Sequence, residues 1–273
     1  MKKKTAQELI TDNKLVTLSN ALTRAGCSLT LGEKRIVMLA VSKLNSQKSV
    51  PTHTFTTKIT AAEYAESYDV EMHTAYEQLK TAAKNFYNRT LTFYQPAHRR
   101  NGAPLKPIRN DMRWIGRATY HEGEAWIELA WWYEVLPHLM GIKKQFTQYQ
   151  LKQATALRSI HSWRLLELLM RFKSTGWAEY TIEDFATSMQ ATDKQKENFN
   201  NIKRRMIEPA VKELIEKDGW QIKWQPIKAG RRVKALRFEF SHTPRPQPNA
   251  QTRAAMQDAE SDDLAAFASV AEP

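Results

Sequence analysis

The segment NNIKRRMIEPAVKELIEK, residues 200–217, concentrates side chains that can read nucleic acid. If it is helical, successive residues advance by about 100°, and Asn201, Arg204 and Arg205 lie opposite an apolar stripe. That stripe consists of Phe199, Ile202, Met206 and Ala210. Arginine can pair with guanine O6 and N7, asparagine can pair with adenine N6 and N7, and either can contact phosphate. An isolated KRR sequence is more often a solvated basic face, whereas a helix-turn-helix in a strongly basic chain favours DNA reading.

Pro209 interrupts this segment. Proline has no amide hydrogen and disfavours a helical conformation at Glu208, so we predict that the helix kinks or restarts there. The DNA-facing part should end near Glu208. The remainder, residues 210–217, should pack on the core through Val211, Leu214 and Ile215.

Two further basic clusters are predicted to lie in loops. The sequence KAGRRVK carries Lys228, Arg231, Arg232 and Lys234, and HRRNGAPLKPIRNDMR carries Arg99, Arg100, Lys106, Arg109 and Arg113. Positive charge beside a recognition helix suits phosphate contacts, which position a protein on DNA without reading its sequence. For the second cluster, a role in solubility explains the pattern equally well.

The motifs of common enzyme and metal sites are missing. The sequence contains no GxxxxGK[ST] phosphate loop, no HExxH zinc helix, no GxSxG elbow and no His-x-His pair. Its seven histidines are scattered, and its single cysteine, Cys27, is best interpreted as a small buried residue. We therefore expect no catalytic residues, no metal and no cofactor.

The charge balance indicates a polyanionic partner. The chain of 273 residues has 41 Lys and Arg against 29 Asp and Glu, a net charge of +12 and a pI near 9.7. Nucleic acid is the leading candidate and an acidic membrane surface is the second. No segment approaches the roughly 20 apolar residues of a membrane span, so we expect a soluble cytoplasmic protein.

The elements that would carry these residues occur twice along the chain. ITAAEYA (residues 59–65) and YTIEDFA (residues 180–186) share an apolar residue, Thr, an acid, an aromatic residue and Ala in the same layout. Each follows a segment with the pattern of an amphipathic helix, residues 31–44 and 159–172, and each precedes a turn, another helix and strand-rich sequence. Repetition of the whole order indicates a duplicated domain.

In the first copy, Thr60 can cap a short helix that ends near Ser67, and a longer helix should run from about His73 to Tyr87. Strands should follow, with a hairpin turn at residues 121–123. The long helix should bury Ala75, Leu79, Ala83 and Phe86 and expose Thr74, Glu77, Thr81 and Lys84. Because Glu77 makes the exposed face less basic, we expect fewer base contacts from it.

In the second copy, Thr181 caps the short helix, QATDKQ forms the turn, and two strands flank a wing with Gly230 at its tip. Three helices and a β-hairpin describe a winged helix. The predicted fold is therefore α+β, with two tandem winged-helix domains and a disordered tail. The predicted boundaries are 8–134 for the first domain, 135–153 for a packed connector, 154–242 for the second domain and 243–273 for the tail.

Three blocks in this order resemble the initiator proteins of theta-replicating, iteron-containing bacterial plasmids. They are NKLVTLSNALTRAGCSLTLGEKRIVMLAVSKL (13–44), FTQYQLKQATALRSIHSWRLLELLMRF (146–172) and NIKRRMIEPAVKEL (201–214). The resemblance covers roughly residues 8–240. One departure is Trp163-Arg164-Leu165, where the family usually has a tyrosine before the leucine-rich run, and we expect it to alter packing only.

The resemblance implies a replication initiator that binds direct repeats at a plasmid origin and helps open the adjacent duplex. It also implies a monomer–dimer equilibrium through the N-terminal domain, repression of the protein's own promoter by the dimer, and control of copy number. Host replication initiator, helicase and chaperones are the implied partners. The main base contacts are carried over to Arg204 and Arg205, with Asn201 beside them.

Two rival functions stay open: a dedicated winged-helix transcriptional repressor, and, with less support, a nicking nuclease. Whether the protein is a replication initiator or a transcriptional repressor, its expected partner is double-stranded DNA. The predicted DNA contacts are Asn201, Lys203, Arg204, Arg205, Lys228, Arg231, Arg232, Lys234, Thr74, Thr81, Lys84, Arg99 and Arg100.

Overall fold

The computed structural model describes residues 14–99, 102 and 104–243 of the chain. From residue 244 onward the predicted tail lies outside the described residues, and so does Arg100. The described residues up to His242 belong to one compact unit.

The first winged helix is built from three helices and one sheet. The helices are α2 (Leu31–Ser42), α3 (Ala61–Tyr68) and α4 (Met72–Asn85), which continues as a 3-10 turn (Phe86–Asn88). The antiparallel sheet has the order β3 (Thr56–Thr60), β7 (Trp126–Trp131), β6 (Ile115–His121). Preceding these elements are β1 (Leu15–Ser19), α1 (Asn20–Arg24) and β2 (Gly26–Cys27).

The second winged helix repeats this plan. After α5 (Lys152–Thr155) come α6 (Ile160–Met170), α7 (Ile182–Ser188), α8 (Asp193–Lys196), α9 (Phe199–Ile202), a π-helical turn (Lys203–Ile207) and α10 (Glu208–Asp218). Its antiparallel sheet has the order β10 (Trp220–Ala229), β11 (Arg232–His242), β9 (Trp177–Thr181). The predicted fold of two tandem winged helices is confirmed for the described residues.

The repeated sequences begin their helices in the same way. Thr60 Oγ1 accepts a hydrogen bond from the Glu63 amide at 3.1 Å, and the Glu63 carboxylate accepts one from the Thr60 amide at 3.0 Å. In the second copy, Thr181 Oγ1 accepts from the Asp184 amide at 3.1 Å. The two bonds accepted by the threonine hydroxyls satisfy amides that have no partner within the first turn, so each threonine fixes where its helix starts.

The prediction that the basic segment HRRNGAPLKPIRNDMR, residues 98–113, forms a loop is wrong. The segment lies within a hairpin of β4 (Thr90–His98) and β5 (Pro104–Arg113), in a sheet of order β2–β4–β5. The prolines at 104 and 107 suggested a loop, but Pro104 is the first residue of the edge strand β5 and Pro107 lies at its register shift, and both positions tolerate proline. Arg109 therefore lies on a strand and pairs with Asp111 at 3.0 Å.

The segment predicted as a connector, residues 135–153, contributes a strand. β8 (Phe146–Gln150) pairs antiparallel with β1, in a register from Leu15↔Gln150 to Ser19↔Phe146. Val135, Leu136 and Leu139 of the same segment are buried. The chain thus returns to β1 before it enters the second winged helix. The exact boundaries between the domains stay a prediction.

Several burial predictions need correction. Residues 31–44 and 159–172 were expected to form amphipathic helices, but α2 and α6 bury even Lys34, Arg164 and Glu167 because these charges pair with one another. In α4, Ala82 is more deeply buried than Ala83, and Ile215 is 37% exposed rather than packed in the core. Cys27 is buried, as predicted.

Replacing Thr60 by alanine should destabilise the fold. The change removes the side-chain acceptor for the Glu63 amide, and loss of such a cap costs about 0.5–2 kcal/mol. Thr60→Ser keeps the hydroxyl and is the matched control. Urea unfolding followed by circular dichroism measures both, and equal stability of the two variants would contradict the capping assignment.

Candidate nucleic-acid interface

The long helix of the second winged helix contains one widened turn. The Glu208 amide donates to the Lys203 carbonyl, five residues back, so residues Lys203–Ile207 form a π-helical turn between α9 and α10. The helix start is fixed by Asn198, whose side chain accepts from the Asn200 amide at 2.9 Å. The backbone stays right-handed helical on both sides of the turn.

Pro209 accounts for the widened turn. In a regular α-helix its ring would press on the carbonyl of Arg205, four residues earlier, and it has no amide to offer that carbonyl. A π turn is a common way to accommodate such a proline, and α10 starts at Glu208 with Pro209 in its first turn. We predicted that the helix kinks or restarts at Pro209, and a new α-helical segment does start at Glu208; helical periodicity does not predict the π turn before it.

The two faces of this helix are separated as predicted. Ile202, Met206 and Ala210 are at most 1% exposed and face the core. Arg204 and Arg205 are exposed and have no hydrogen-bond or ion-pair partner among the described residues. Their guanidinium groups are thus available to a ligand.

Asn201 and Lys203 differ from the two arginines because both are only half-exposed. Lys203 Nζ also lies 3.5 Å from a carboxylate oxygen of Glu208. Part of its positive charge is therefore compensated within the helix, which makes it a weaker candidate contact.

The wing carries the second set of predicted contacts. β10 and β11 pair over Trp220↔His242 to Ala229↔Arg232, and the register shifts between Ile227 and Lys228. Gly230 closes the turn with φ +62°, in the left-handed region. Four exposed cations surround this turn without an ion-pair partner in the described part of the chain: Lys228, Arg231, Arg232 and Lys234.

The corresponding face of α4 is more neutral. Thr74, Thr81 and Lys84 are exposed together with Glu77, as predicted. An open groove of about 570 Å³ runs between α4 and the start of α2 and is lined in part by Thr74, Glu77 and Thr81. A carboxylate in the middle of this face disfavours close approach of phosphate.

The β6–β7 hairpin is fixed to α4 by long-range contacts that no sequence pattern predicts. The Lys80 ammonium pairs with the Glu122 carboxylate in the hairpin turn, and the Tyr76 hydroxyl donates to the Glu122 carbonyl at 3.3 Å. This pairing holds the pKa of the Glu122 carboxyl below its usual range, because the Lys80 hydrogen bond favours the charged form. Lys80 and Glu122 are 42 residues apart in the sequence, so no local pattern indicates this contact.

The remaining predicted contact in the first half, Arg99, is exposed at the end of β4. It is not brought to the long helix by any described hydrogen bond. In the described ranges, no group of three or more His, Cys, Asp or Glu side chains could hold a metal ion. The same ranges contain no helix with the length and apolar character of a membrane span.

Comparison with protein families decides the identity of the fold. Residues 15–170 match the family model described as Initiator Replication protein, WH1, and residues 181–240 match Initiator Rep protein, WH2. Together the two matches cover more than half of the chain. The chain belongs to the initiator replication protein family. The resemblance stated from the sequence blocks is confirmed.

Two Escherichia coli relatives of this initiator family member are similar in sequence. A replication initiation protein is 24% identical over 206 residues, which cover 73% of this chain and 61% of the relative. An uncharacterized 27.6 kDa protein is 26% identical over 210 residues, which cover 74% of this chain and 85% of the relative. The chain therefore spans about three fifths of the length of the named initiator.

A solved structure shares the fold. The Pi initiator protein, crystallised in complex with iteron DNA, superposes with a TM-score of 0.68 at 21% sequence identity. The superposition covers 85% of this chain and 98% of the Pi chain. At this level of identity, the match shows that this chain shares the fold of the Pi protein and nothing more.

Substitution of Gly230 should test the wing turn. A Cβ at Gly230 meets nothing within 4 Å, so Gly230→Ala should cost only the left-handed backbone strain, about 1 kcal/mol. Gly230→Asn should cost less, because asparagine tolerates this conformation. Thermal and urea unfolding compare the variants, and an asparagine variant less stable than the alanine variant would contradict the turn geometry.

Proposed function

We propose that the protein initiates plasmid replication by binding direct repeats, or iterons, in double-stranded origin DNA. The observation that carries this proposal is the pair of unpaired guanidinium groups, Arg204 and Arg205, exposed on the long helix of a replication-initiator fold. The fold shared with the Pi initiator, which was crystallised with iteron DNA, supports the same ligand. Both arginines can pair bidentately with guanine in the major groove.

Recognition divides between reading and positioning. Arg204 and Arg205 read base edges, with Asn201 and Lys203 at the margin of the same face. The wing cations Lys228, Arg231, Arg232 and Lys234 contact phosphates and set the orientation on the duplex. Thr74, Thr81, Lys84, Arg99 and Arg100 supply a smaller set of contacts from the first half of the chain.

Two winged helices on one chain suit a site of about two helical turns. Their recognition helices, α4 and the α9–α10 helix, enter successive major-groove segments about 34 Å apart. Binding energy from both helices offsets the cost of bending the DNA, and the bend favours opening of a flanking A/T-rich stretch. The protein itself contributes binding and deformation, with no catalytic group, metal or cofactor.

The wider proposal includes regulation and partners. Monomers bind the repeats, a homodimer formed through the N-terminal domain represses the protein's own promoter, and their balance controls copy number. Host initiator, helicase and chaperones act on the complex in the bacterial cytoplasm. A test plasmid that carries the repeats from the noncoding DNA beside this protein's coding region should replicate only when the protein is supplied. Replication without the protein would overturn the proposal.

Arg204→Ala and Arg205→Ala should each weaken binding to the cognate repeat by about 1–3 kcal/mol and reduce discrimination against altered repeats. The physical reason is loss of a bidentate base contact. Lys217→Ala removes one exposed positive charge from the same helix beyond Pro209 and is the matched control. Fluorescence anisotropy on cognate and scrambled repeats measures the effect, and normal binding by the double arginine variant would rule out this reading face.

Arg231→Ala should weaken binding to cognate and scrambled DNA alike. It removes a phosphate contact, so the slope of log K against log salt concentration should flatten by about one unit. Titrations at several salt concentrations give the slope for the wild type and for Lys217→Ala, which should not differ. A sequence-dependent loss for Arg231→Ala would instead place this residue at a base edge.

A further inference from the structure

A buried ion cluster joins α1 and α2 to α6 and α7. Lys34 lies on α2, and Arg164 and Glu167 lie on α6. Their side chains are 1%, 2% and 0% exposed. Lys34 Nζ is 2.7 Å from Glu167 Oε1, and Arg164 Nη1 donates to Glu167 Oε2 at 3.0 Å. One carboxylate therefore holds a cation from each half of the chain.

Arg164 also extends across the contact through its guanidinium fork. Nη2 donates to the carbonyls of Thr23 at 2.9 Å and Ala25 at 2.7 Å, at the end of α1. Nε donates to the carbonyl of Ser188 at 2.7 Å, at the end of α7. A planar fork with donors in fixed directions is required to reach all these acceptors, and lysine cannot reproduce it.

The chemistry of the cluster makes this arrangement sensitive to spacing. Two cations share one carboxylate, and the excess positive charge is balanced by backbone carbonyls at two helix ends. Tyr149 donates to Glu167 Oε1 at 3.0 Å and thereby closes the cluster on the side of β8. Displacing one half relative to the other would leave buried charges with incomplete hydrogen bonds, which is costly.

Contacts at the edge of the cluster link the same elements. Arg24 of α1 pairs with Asp184 of α7 at 2.9 Å, and the Ser188 hydroxyl donates to the Arg24 carbonyl at 3.0 Å. The Gln190 side-chain amide lies 3.4 Å from the Cys27 sulfur. The Arg24–Asp184 pair is half-exposed and therefore contributes little by itself, whereas Ser188 and Cys27 are buried beside the cluster.

We propose that Arg164 is a positioning residue that sets the separation and angle of the two recognition helices, and thereby the length of DNA site that the protein accepts. This inference rests on the proposed function. When two DNA-binding modules are rigidly connected, binding of the first gives the second a high effective concentration at a correctly spaced half-site and a low one at a misplaced half-site. Loosely connected modules bind half-sites at either spacing.

The test uses full-length protein and duplexes that carry one repeat. Footprinting first defines the DNA segment protected by each winged helix, and duplexes with 1 or 2 base pairs inserted between these segments are then compared with the natural repeat. Wild-type affinity should fall by about 100-fold on the 2-base-pair insertion. For Arg164→Met the natural repeat should bind about tenfold more weakly, and the insertion should cost less than about fivefold.

Leu236→Ala provides the matched control for simple loss of stability. Leu236 is buried in β11 and makes no part of the ion cluster. This variant should be less stable than the wild type but should show the wild-type dependence on spacing. A wild-type spacing profile for folded Arg164→Met would overturn the inference, whereas failure of wild-type protein to bind the repeat at all would overturn the proposed function instead.

Arg164→Lys keeps the inference testable if Arg164→Met does not fold. Lysine retains the charge beside Glu167 but cannot reach the Thr23, Ala25 and Ser188 carbonyls together. Its spacing profile should lie between those of wild type and Arg164→Met, with folding checked by near-ultraviolet circular dichroism. If the folded lysine variant keeps the wild-type profile, Arg164 does not set the spacing.

Discussion

Burial of two cations beside a single carboxylate constrains the whole molecule. Lys34 and Arg164 can leave water only because both pair with Glu167 and because three backbone carbonyls accept the remaining Arg164 hydrogen bonds. The acceptors come from α1, α6 and α7, and the cluster thus forms only when both winged helices are folded and in contact. A buried ion pair is not by itself a large source of stability, but removal of one member leaves an uncompensated charge. The main consequence of this cluster is that the helices that contribute to it can pack together in only one arrangement.

A second constraint acts within the long helix of the second winged helix. Pro209 cannot supply an amide to the Arg205 carbonyl, and the widened turn at Lys203–Ile207 accommodates its ring. Despite this turn, Met206 and Ala210 remain buried and Arg204 and Arg205 remain exposed. The residues before the proline present unpaired cations, and those after it continue the helix to Asp218, from which the chain enters the first strand of the wing at Trp220.

Much of the fold could be predicted because its signals are local. Thr60 and Thr181 start their helices through bonds to residues three positions later, and Gly230 closes a two-strand wing. The exposed face of the long helix follows from helical periodicity. The β4–β5 hairpin was missed because its prolines resemble loop residues, and their tolerance depends on β5 being an edge strand. Edge position is a property of the assembled sheet.

The sequence alone determined the winged-helix elements, the family resemblance and the side chains available for DNA contact. Periodicity, capping residues and turn residues act over a few positions, and for this reason they could be recognised without coordinates. Only the tertiary structure decided that Arg164, which we expected to affect packing alone, lies in a buried ion cluster with Lys34. The 141-residue separation between Arg164 and its acceptor Thr23 leaves no local pattern, because only folding brings the two together.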